Sequence, residues 1–276
     1  MPIIPEALFA DRNRSMRISI VTLSFNQREF LEEAIESVLR QDYPDLEYIV
    51  VDPGSTDGSR ELIQSYASGI AHAIFEPDRG AADGLNKGFA RATGEIFGFL
   101  NADDLLEPGA LQRVAEFFRT HPEIALAMGN GYIIDAMGNR LRYVRARDFT
   151  VMRYLYGGTR WLQQSTFFRR ETFLESTGFE IRNHTCWDGE LFVSMVCQGA
   201  AVGYINTDLG NFRIHSKSIS GSGTNGKAYR EDWMRVFRQV RGRDWRAMDN
   251  VRRLLYRGEG ILLGAGMLLA RRIQQG

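Results

Sequence analysis

Cysteine and long hydrophobic runs are scarce in this sequence, and both absences narrow the class of protein. The chain of 276 residues has only two cysteines, Cys186 and Cys197, and neither belongs to a C-x-x-C pair. We therefore expect no zinc site and no disulfide framework, and a reducing compartment. No stretch reaches the roughly 18 consecutive apolar residues of a membrane-spanning helix. The longest candidate, 261–270, is interrupted by two glycines.

An excess of one charge is also absent. Lys and Arg number 34, and Asp and Glu also number 34, so the formal net charge is zero. Proteins that bind nucleic acid over a large surface usually carry a basic surplus, so we expect no nucleic-acid partner. With 44% apolar residues, the composition is that of an ordinary globular protein. The length suits one large α/β domain, alone or with a small appendage.

The first residues do not resemble a secretion signal. Residues 1–15 begin with an apolar stretch, but no basic segment precedes it and no small-residue cleavage site follows it. We therefore expect a flexible leader and a cytoplasmic protein.

Strand and helix patterns alternate along residues 17–128. Short runs of β-branched and apolar residues predict strands at 17–23, 46–51, 72–75, 95–100 and 124–128. Apolar residues at helical spacing predict helices at 27–40, 59–66, 81–92 and 108–119. Such alternation predicts a mostly parallel sheet with right-handed crossovers, and ligands bind beyond the carboxyl ends of the strands in such sheets.

Polar side chains follow several of these strands. The loops after the strands contain 22–26, Asp52, 78–83 and the N-A-D-D segment at 101–104. Carboxylates that converge on one edge are costly unless a cation or hydrogen-bond donors compensate them. Because the loop after the first strand has neither a G-x-G-x-x-G nor a G-x-x-x-x-G-K-[ST] pattern, a bound diphosphate would need a metal. Carboxylates suit Mg²⁺ and Mn²⁺.

Several spaced segments resemble the family 2 glycosyltransferases. Their opening is similar to SIVTLSFNQREFLEEAIESVLRQDYPDLEYIVVDPGSTDGS, and their central block, with a D-x-D-like element, is similar to EPDRGAADGLNKGFARATGEIFGFLNADDLLEPGAL. The later segments are WLQQSTFFRRETF, GFE, WDGELF and FRIHSKSIS. Together they cover about residues 16–220, and their common order is more specific than any one motif. The resemblance implies the GT-A fold, a Rossmann-like, mostly parallel sheet flanked by helices, here with a C-terminal helical appendage.

The resemblance implies a nucleotide site after the first two strands. Asp52 corresponds to an aspartate that bonds the base, and Thr22 and Phe25 correspond to the wall beside the base. Asp83 corresponds to an aspartate that contacts the uridine-like part of the nucleotide. Without the family context, Asp52 could form a turn and Asp83 could cap a helix. Pro53 departs from the family, which often has a small or acidic residue there, and it lacks a backbone donor.

The resemblance places a divalent metal, Mn²⁺ or Mg²⁺, at the N-A-D-D segment. The resemblance implies Asp103 and Asp104 together as metal ligands, and Asp103 also as a contact of the nucleotide. Asn101 departs from the D-x-D form of the family. His215 corresponds to a histidine that completes the metal shell in some relatives. Without the family context, the two aspartates could cap the helix predicted at 108–119, and a lone histidine is more often structural.

The resemblance makes Asp188 the catalytic base, with Trp187 in place of the usual preceding acidic residue. Asp188 could also be the N-cap of a helix predicted at 189–197. Glu190 is a second candidate for the base. Gln164 and Ser165 correspond to a polar pair near the donor sugar or the acceptor, and Arg213 corresponds to a residue that assists the diphosphate.

Residues 227–276 form a basic tail, with 12 Lys and Arg against five Asp and Glu, a surplus of seven. Trp233, Phe237 and neighbouring apolar residues recur at helical spacing among the arginines. This pattern is typical of an amphipathic helix on an anionic membrane surface, and equally of a helix that packs on its own domain. The second apolar stretch, 261–270, favours contact with a membrane or a partner. We therefore expect peripheral attachment at the inner face of the cell membrane.

These features favour a metal-dependent, inverting glycosyltransferase. We expect it to move a sugar from a UDP- or dTDP-linked donor to a lipid-linked or saccharide acceptor in cell-surface polysaccharide synthesis. A nucleotidyltransferase would share the metal and carboxylates but would normally carry a glycine- and arginine-rich loop after the first strand. A non-catalytic nucleotide-binding scaffold would not need Asp188. The predicted division is a leader (1–15), a GT-A domain (16–226) and the tail (227–276), with the oligomeric state left open.

Overall fold

The computed structural model of the chain describes residues 15–218 and 226–258. The strands are β1 (Ile18–Leu23), β2 (Leu46–Val51), β3 (His72–Ile74), β4 (Ile96–Asn101), β5 (Leu105–Leu106), β6 (Leu126–Ile134), β7 (Arg140–Val144), β8 (Thr166–Arg169) and β9 (Val202–Arg213). The helices are α1 (Arg28–Leu39), α2 (Ser59–Ser65), α3 (Ala81–Phe89), α4 (Ala110–Thr120), α5 (Val151–Leu155), α6 (Arg170–Glu175), α7 (Trp187–Cys197), α8 (Gly226–Arg241) and α9 (247–258), with a 3-10 helix at Gln163–Ser165.

The predicted alternation is confirmed in the first half of the sheet. Strands β3, β2, β1 and β4 are neighbours in that order, and each pair is parallel. Their carboxyl ends therefore meet at one edge. The helix predicted at 108–119 begins at Ala110, after Gly109 with a left-handed φ of 70°.

The second half of the sheet is mixed. Beyond β4 the order continues β8, β6, β9 and β5, and β7 pairs with the outer part of β6. Strand β8 is antiparallel to both β4 and β6, whereas β9 is parallel to β6. The strand predicted at 124–128 is the start of β6, which continues to Ile134.

Helices cover both faces of this sheet. Alternate residues of β2 enter opposite hydrophobic clusters, because successive side chains of a strand point to opposite faces. Tyr48 and Val50 join the cluster that includes α1 and α4, whereas Ile49 and Val51 join the cluster of α3, α7 and α8. These strands are buried on both faces, which explains why their sequences are almost continuously apolar.

Helix α8 belongs to the core of the domain. Trp233, Val236 and Phe237 are only 8%, 1% and 0% exposed and pack in the same cluster as α3 and α7. Of the two interpretations left open for this segment, packing on its own domain therefore applies, because the apolar face with Trp233 and Phe237 is used inside the protein. The second apolar stretch of the tail, 261–270, and residues 1–14 of the leader lie outside the described residues.

Helix α9 is fixed to the domain by Asp249. Its carboxylate accepts hydrogen bonds from the Arg243 guanidinium at 2.7 and 2.8 Å and from the Tyr156 hydroxyl at 2.7 Å. The hydrogen bond from Arg243 holds the pKa of Asp249 well below its usual range. Among residues 15–218 and 226–258, no helix combines the length and the apolar character needed to span a bilayer.

Replacing Phe237 tests whether α8 is part of the core. Because this side chain is fully buried, we expect Phe237→Ala to lower the free energy of unfolding by about 3–5 kcal/mol in urea titrations. The matched control is Leu254→Ala on α9, where the side chain is 72% exposed. That change should stay within about 0.5 kcal/mol. An unchanged unfolding midpoint for Phe237→Ala would contradict this packing.

Candidate active site

A cavity of about 790 Å³ lies at the carboxyl ends of β1, β2 and β4. Residues after these strands line one side of it, including Phe25, Pro53 and Asp103. The 3-10 helix and the start of α7 contribute the other side, including Gln164 and Asp188. Its volume falls in the range of small-molecule sites, about 300–1,000 Å³. The cavity is therefore where the sheet topology predicts a ligand.

The two adjacent aspartates at the end of β4 have different environments. Asp103 lines the cavity, whereas Asp104 is completely buried and does not. Asp104 accepts hydrogen bonds from the Arg213 backbone N–H at 2.8 Å, from the Asn101 amide at 3.0 Å and from the Gln164 amide. Burial and the nearby charge of Asp103 raise the pKa of Asp104. The prediction that both aspartates are metal ligands is therefore corrected for Asp104, because protein donors already occupy both of its carboxylate oxygens.

His215 lies beside Asp103, although His215 itself does not line the cavity. Its Nε2 is 2.9 Å from Oδ2 of Asp103, and its ring packs on Phe30 with centroids 4.5 Å apart. The contact with Asp103 is a direct hydrogen bond, and the carboxylate of Asp103 with the imidazole of His215 would be the residues to hold a divalent cation here. Within the part of the chain that the structure describes, no group of three or more His, Cys, Asp or Glu side chains is arranged for a metal.

Arg213 does not line the cavity. Its side chain is 1% exposed and donates to the carbonyls of Asp103 at 2.8 Å and Ala136 at 2.9 Å, and to the Glu33 carboxylate at 2.6 Å. The prediction that Arg213 assists a diphosphate is therefore corrected, because its guanidinium donates its hydrogen bonds within the protein. Lys217 is the cation of the same segment that lines the cavity.

Asp188 lies in the first turn of α7 and lines the cavity. One carboxylate oxygen accepts from the Gly189 N–H at 2.7 Å. Burial raises the pKa of Asp188 to about 6, and the backbone hydrogen bond opposes this rise only in part. The N-cap residue of α7 is Cys186, so Asp188 does not have the capping role. A carboxyl group with a pKa near neutrality suits proton transfer.

Glu190 is already committed to an ion pair. Its carboxylate accepts from the Arg235 guanidinium at 2.6 and 2.8 Å and from the Asn183 amide at 2.7 Å. Glu190 does not line the cavity, which corrects its assignment as the second candidate base. Because Arg235 belongs to α8, this ion pair also joins α8 to the helix that carries Asp188.

Two predicted nucleotide residues lie at or next to the cavity. Phe25 lines it and is 59% exposed, and Pro53, directly after Asp52, lines it as well. Asp52 is completely buried, and its Oδ1 accepts from the backbone N–H groups of Gly54 and Ser55 at 3.1 and 2.8 Å. Its Oδ2 is buried without a hydrogen-bond partner. A buried acceptor of this kind fits a donor from a ligand.

The side chains of Thr22 and Asp83 do not line the cavity, which corrects their predicted contacts with the nucleotide. The Thr22 hydroxyl accepts from the Tyr48 hydroxyl at 3.0 Å inside the core. Asp83 accepts from the Arg79 guanidinium at 2.9 Å and from the Arg79 N–H at 3.1 Å, and so fixes the loop before α3. In that loop Asp78 lines the cavity instead, and burial raises its pKa.

Gln164 and Ser165 also differ in whether they line the cavity. Gln164 lines the cavity, and its Oε1 is buried without a hydrogen-bond partner. The Ser165 hydroxyl donates to the Asn130 carbonyl at 2.9 Å and does not line the cavity, which corrects its assignment.

Sequence reasoning gave no separate role to several residues that line the cavity. Each lies inside or next to a segment that resembles the family, so the signal was present but did not distinguish one neighbour from another. These residues are Asp78, Trp161, Gln163 and Lys217.

Sequence comparison identifies the family. The family model of Glycosyl transferase family 2 matches residues 19–182. An uncharacterized glycosyltransferase of Nostoc sp., alr2836, is 44% identical over 108 residues, 38% of this chain and 34% of that protein. A putative teichuronic acid biosynthesis glycosyltransferase of Bacillus subtilis, TuaG, is 38% identical over 103 residues, 36% of this chain and 41% of that protein. The matches thus span less than half of either relative.

Solved structures share the fold. S. aureus TarS 1–349 in complex with UDP-GlcNAc aligns with a TM-score of 0.67 and 15% identity, over 89% of this chain and 72% of that one. The mannosyltransferase PcManGT from Pyrobaculum calidifontis, in complex with GDP-Man and Mn²⁺, aligns with a TM-score of 0.63 and 18% identity, over 95% and 81%. The predicted GT-A fold is confirmed. The chain belongs to glycosyl transferase family 2.

Proposed function

We propose that this chain is a metal-dependent, inverting glycosyltransferase that acts in cell-surface polysaccharide synthesis. The proposed donor is a UDP- or dTDP-linked sugar, and the acceptor is a saccharide or a lipid-linked glycan. The observation that carries the proposal is that Asp188 lines the same cavity as Asp103, the partner of His215. The names of two similar proteins support it: TuaG is assigned to teichuronic acid biosynthesis, and TarS has been solved with UDP-GlcNAc.

The proposed nucleotide site lies next to Phe25 and Asp52. The ring of Phe25 packs against the base, and the unpartnered Oδ2 of Asp52 accepts its ring N–H. Uracil and thymine both present an imide N–H, so this acceptor suits either base.

The proposed metal ligands are Asp103 and His215. The donor's diphosphate and water would supply the remaining oxygen ligands, as is usual for Mg²⁺. A bound Mg²⁺ or Mn²⁺ would stabilise the negative charge that develops on the diphosphate as it leaves. The Mn²⁺ in the PcManGT complex supports this assignment.

Asp188 is the proposed general base. Its carboxylate takes the proton of the acceptor hydroxyl while that oxygen bonds to the anomeric carbon of the donor sugar. The bond from this carbon to the diphosphate oxygen breaks, and its electron pair leaves with the nucleotide diphosphate. Attack from the face opposite the leaving group inverts the anomeric configuration. Gln164 also lines the cavity, and its side chain is the proposed contact for the donor sugar.

The metal proposal predicts different outcomes for the two adjacent aspartates. We expect Asp103→Ala to lose about 100-fold or more of turnover, because charge on the leaving group is no longer compensated. Its free energy of unfolding should stay within about 1 kcal/mol. Asp104→Ala is the matched comparison and should lose about 1–3 kcal/mol of stability, because buried donors are left without an acceptor. Excess EDTA should abolish wild-type activity and Mn²⁺ should restore it; full activity in EDTA would contradict the metal site.

The pKa of Asp188 predicts the acid limb of the pH profile. Below a pH of about 6 the carboxyl group becomes protonated and cannot accept the proton, so kcat/KM should fall as the pH decreases. Asp188→Asn should lower kcat by about 100- to 10,000-fold and leave donor affinity near the wild-type value. If this variant instead keeps its turnover, or loses donor binding alone, Asp188 is not the base.

We also propose that α9 attaches the protein to the inner face of the cell membrane. Four apolar side chains of this helix are 49–72% exposed: Met248, Val251, Leu254 and Leu255. Arg252 and Arg257 belong to the same helix. Insertion of aliphatic groups into lipid contributes about 0.8 kcal/mol per CH₂, and each arginine near anionic lipid adds about 1 kcal/mol. This is enough for reversible attachment, which would confine the enzyme to the surface that holds a lipid-linked acceptor.

The membrane proposal is tested by co-sedimentation of the full chain with phosphatidylglycerol vesicles at low salt. We expect wild type to bind, and the triple variant Val251→Ser, Leu254→Ser and Leu255→Ser to remain in the supernatant. Leu174→Ser on α6 is the control, because Leu174 is equally exposed at 62% on another part of the surface. Truncation after residue 226 would be a poor test, since it removes the core helix α8. Equal binding by the triple variant would contradict the proposal.

A further inference from the structure

One face of helix α1 contacts the end of β9 and the residues that follow it. Every second residue of this segment meets a different side chain of α1, in the pairs Arg213 with Glu33, His215 with Phe30 and Lys217 with Glu29. The three α1 residues share one side of the helix, because Glu33 lies three and four positions after the other two. The helix therefore supports the segment that contains His215.

Phe30 holds the ring of His215. The Phe30 side chain is buried, and its ring centroid lies 4.5 Å from that of His215, with the two planes tilted by 44°. The Arg213 guanidinium carbon lies 4.9 Å from the same centroid. Tilted aromatic pairs and guanidinium groups over a ring are both attractive arrangements. Because Nε2 of His215 is also 2.9 Å from Oδ2 of Asp103, the imidazole is held on Phe30 and on Asp103 at once.

Glu33 acts on the other member of this pair through Arg213. The Glu33 carboxylate accepts from the guanidinium at 2.6 Å, and Nε of the same guanidinium donates to the Asp103 carbonyl at 2.8 Å. A guanidinium as buried as that of Arg213 is costly without a counter-charge, and Glu33 supplies one. Two neighbouring residues of α1 therefore fix the His215 ring and the backbone of Asp103.

We propose that Phe30 and Glu33 are positioning residues for the metal ligands Asp103 and His215. Neither side chain lines the cavity, so both act through the ligands and not on the nucleotide. Residues that orient metal ligands commonly contribute about 10- to 100-fold to metal affinity. The inference rests on the proposed function in taking Asp103 and His215 as the ligands of Mg²⁺ or Mn²⁺.

Calorimetric titration of the full chain with UDP, once with Mn²⁺ and once with EDTA, tests the proposal. The proposed metal would bind both the protein and the diphosphate, so the ratio of the two dissociation constants measures the gain in UDP affinity that Mn²⁺ provides. Phe30→Leu removes the ring but keeps an apolar side chain. Its matched control is Phe117→Leu, because Phe117 packs on His121 in a similar contact away from the cavity, with centroids 4.4 Å apart.

Glu33→Gln is the second variant, and it keeps the test open if Phe30→Leu does not fold. Its matched control is Glu36→Gln on the same helix, since Glu36 pairs with Arg40 at 2.8 Å instead. We expect Phe30→Leu and Glu33→Gln each to reduce the Mn²⁺-dependent gain about tenfold. Their UDP affinity in EDTA, and the gain in both controls, should stay within about twofold of wild type.

A wild-type gain in both Phe30→Leu and Glu33→Gln would overturn the inference. An equal loss of UDP affinity in Mn²⁺ and in EDTA would also overturn it, because these residues would then support the whole site and not the metal ligands. Asp103→Ala is the reference and should abolish the gain. Absence of any gain in wild type, or a wild-type gain in Asp103→Ala, would instead contradict the proposed metal site itself, so the two failures can be distinguished.

Discussion

The buried carboxylate of Asp104 is the interaction on which the candidate active site depends. It accepts hydrogen bonds from Asn101 at the end of β4, from Gln164 in the 3-10 helix and from the Arg213 backbone at the end of β9. These three elements hold Asp103 and the side chains of Gln163 and Gln164 at the cavity, with His215 beside Asp103. A buried carboxylate is stable only when donors surround it, so the three elements are held in one arrangement. The Arg213 guanidinium also donates a hydrogen bond to the Asp103 carbonyl, so it connects the end of β9 to the loop after β4.

The first half of the fold could be predicted from local patterns. Buried parallel strands are short apolar runs and their helices have apolar residues at helical spacing, so β1, β2 and β4 differ from prediction by at most one residue at either end. The second half could not be predicted in this way. Strand β8 lies between β4 and β6 although it follows both in the chain, and this place depends on pairing between distant segments. A local pattern indicates a strand but not its neighbour.

The same limit applies to the site and the tail. Family motifs located the right segments, and Phe25, Asp103, Asp188 and Gln164 do line the cavity. They could not show which of two neighbours points into it, because that depends on the surrounding packing. Asp104, Ser165 and Arg213 were therefore assigned to ligands although protein atoms occupy their polar groups. In the tail, a helix with Trp233 and Phe237 on one side has the same pattern whether it packs on lipid or on protein.

Residues that follow β1, β2 and β4 line one side of the cavity, and the 3-10 helix and the start of α7, with Asp188, line the other. The proposed mechanism depends on this separation, because Asp188 must activate the acceptor from the face opposite the departing diphosphate. The anomeric configuration of the product tests this most directly. After a donor is identified by screening nucleotide sugars, NMR coupling constants of the fresh product should show the configuration opposite to that of the donor. A product that keeps the donor configuration would contradict the mechanism.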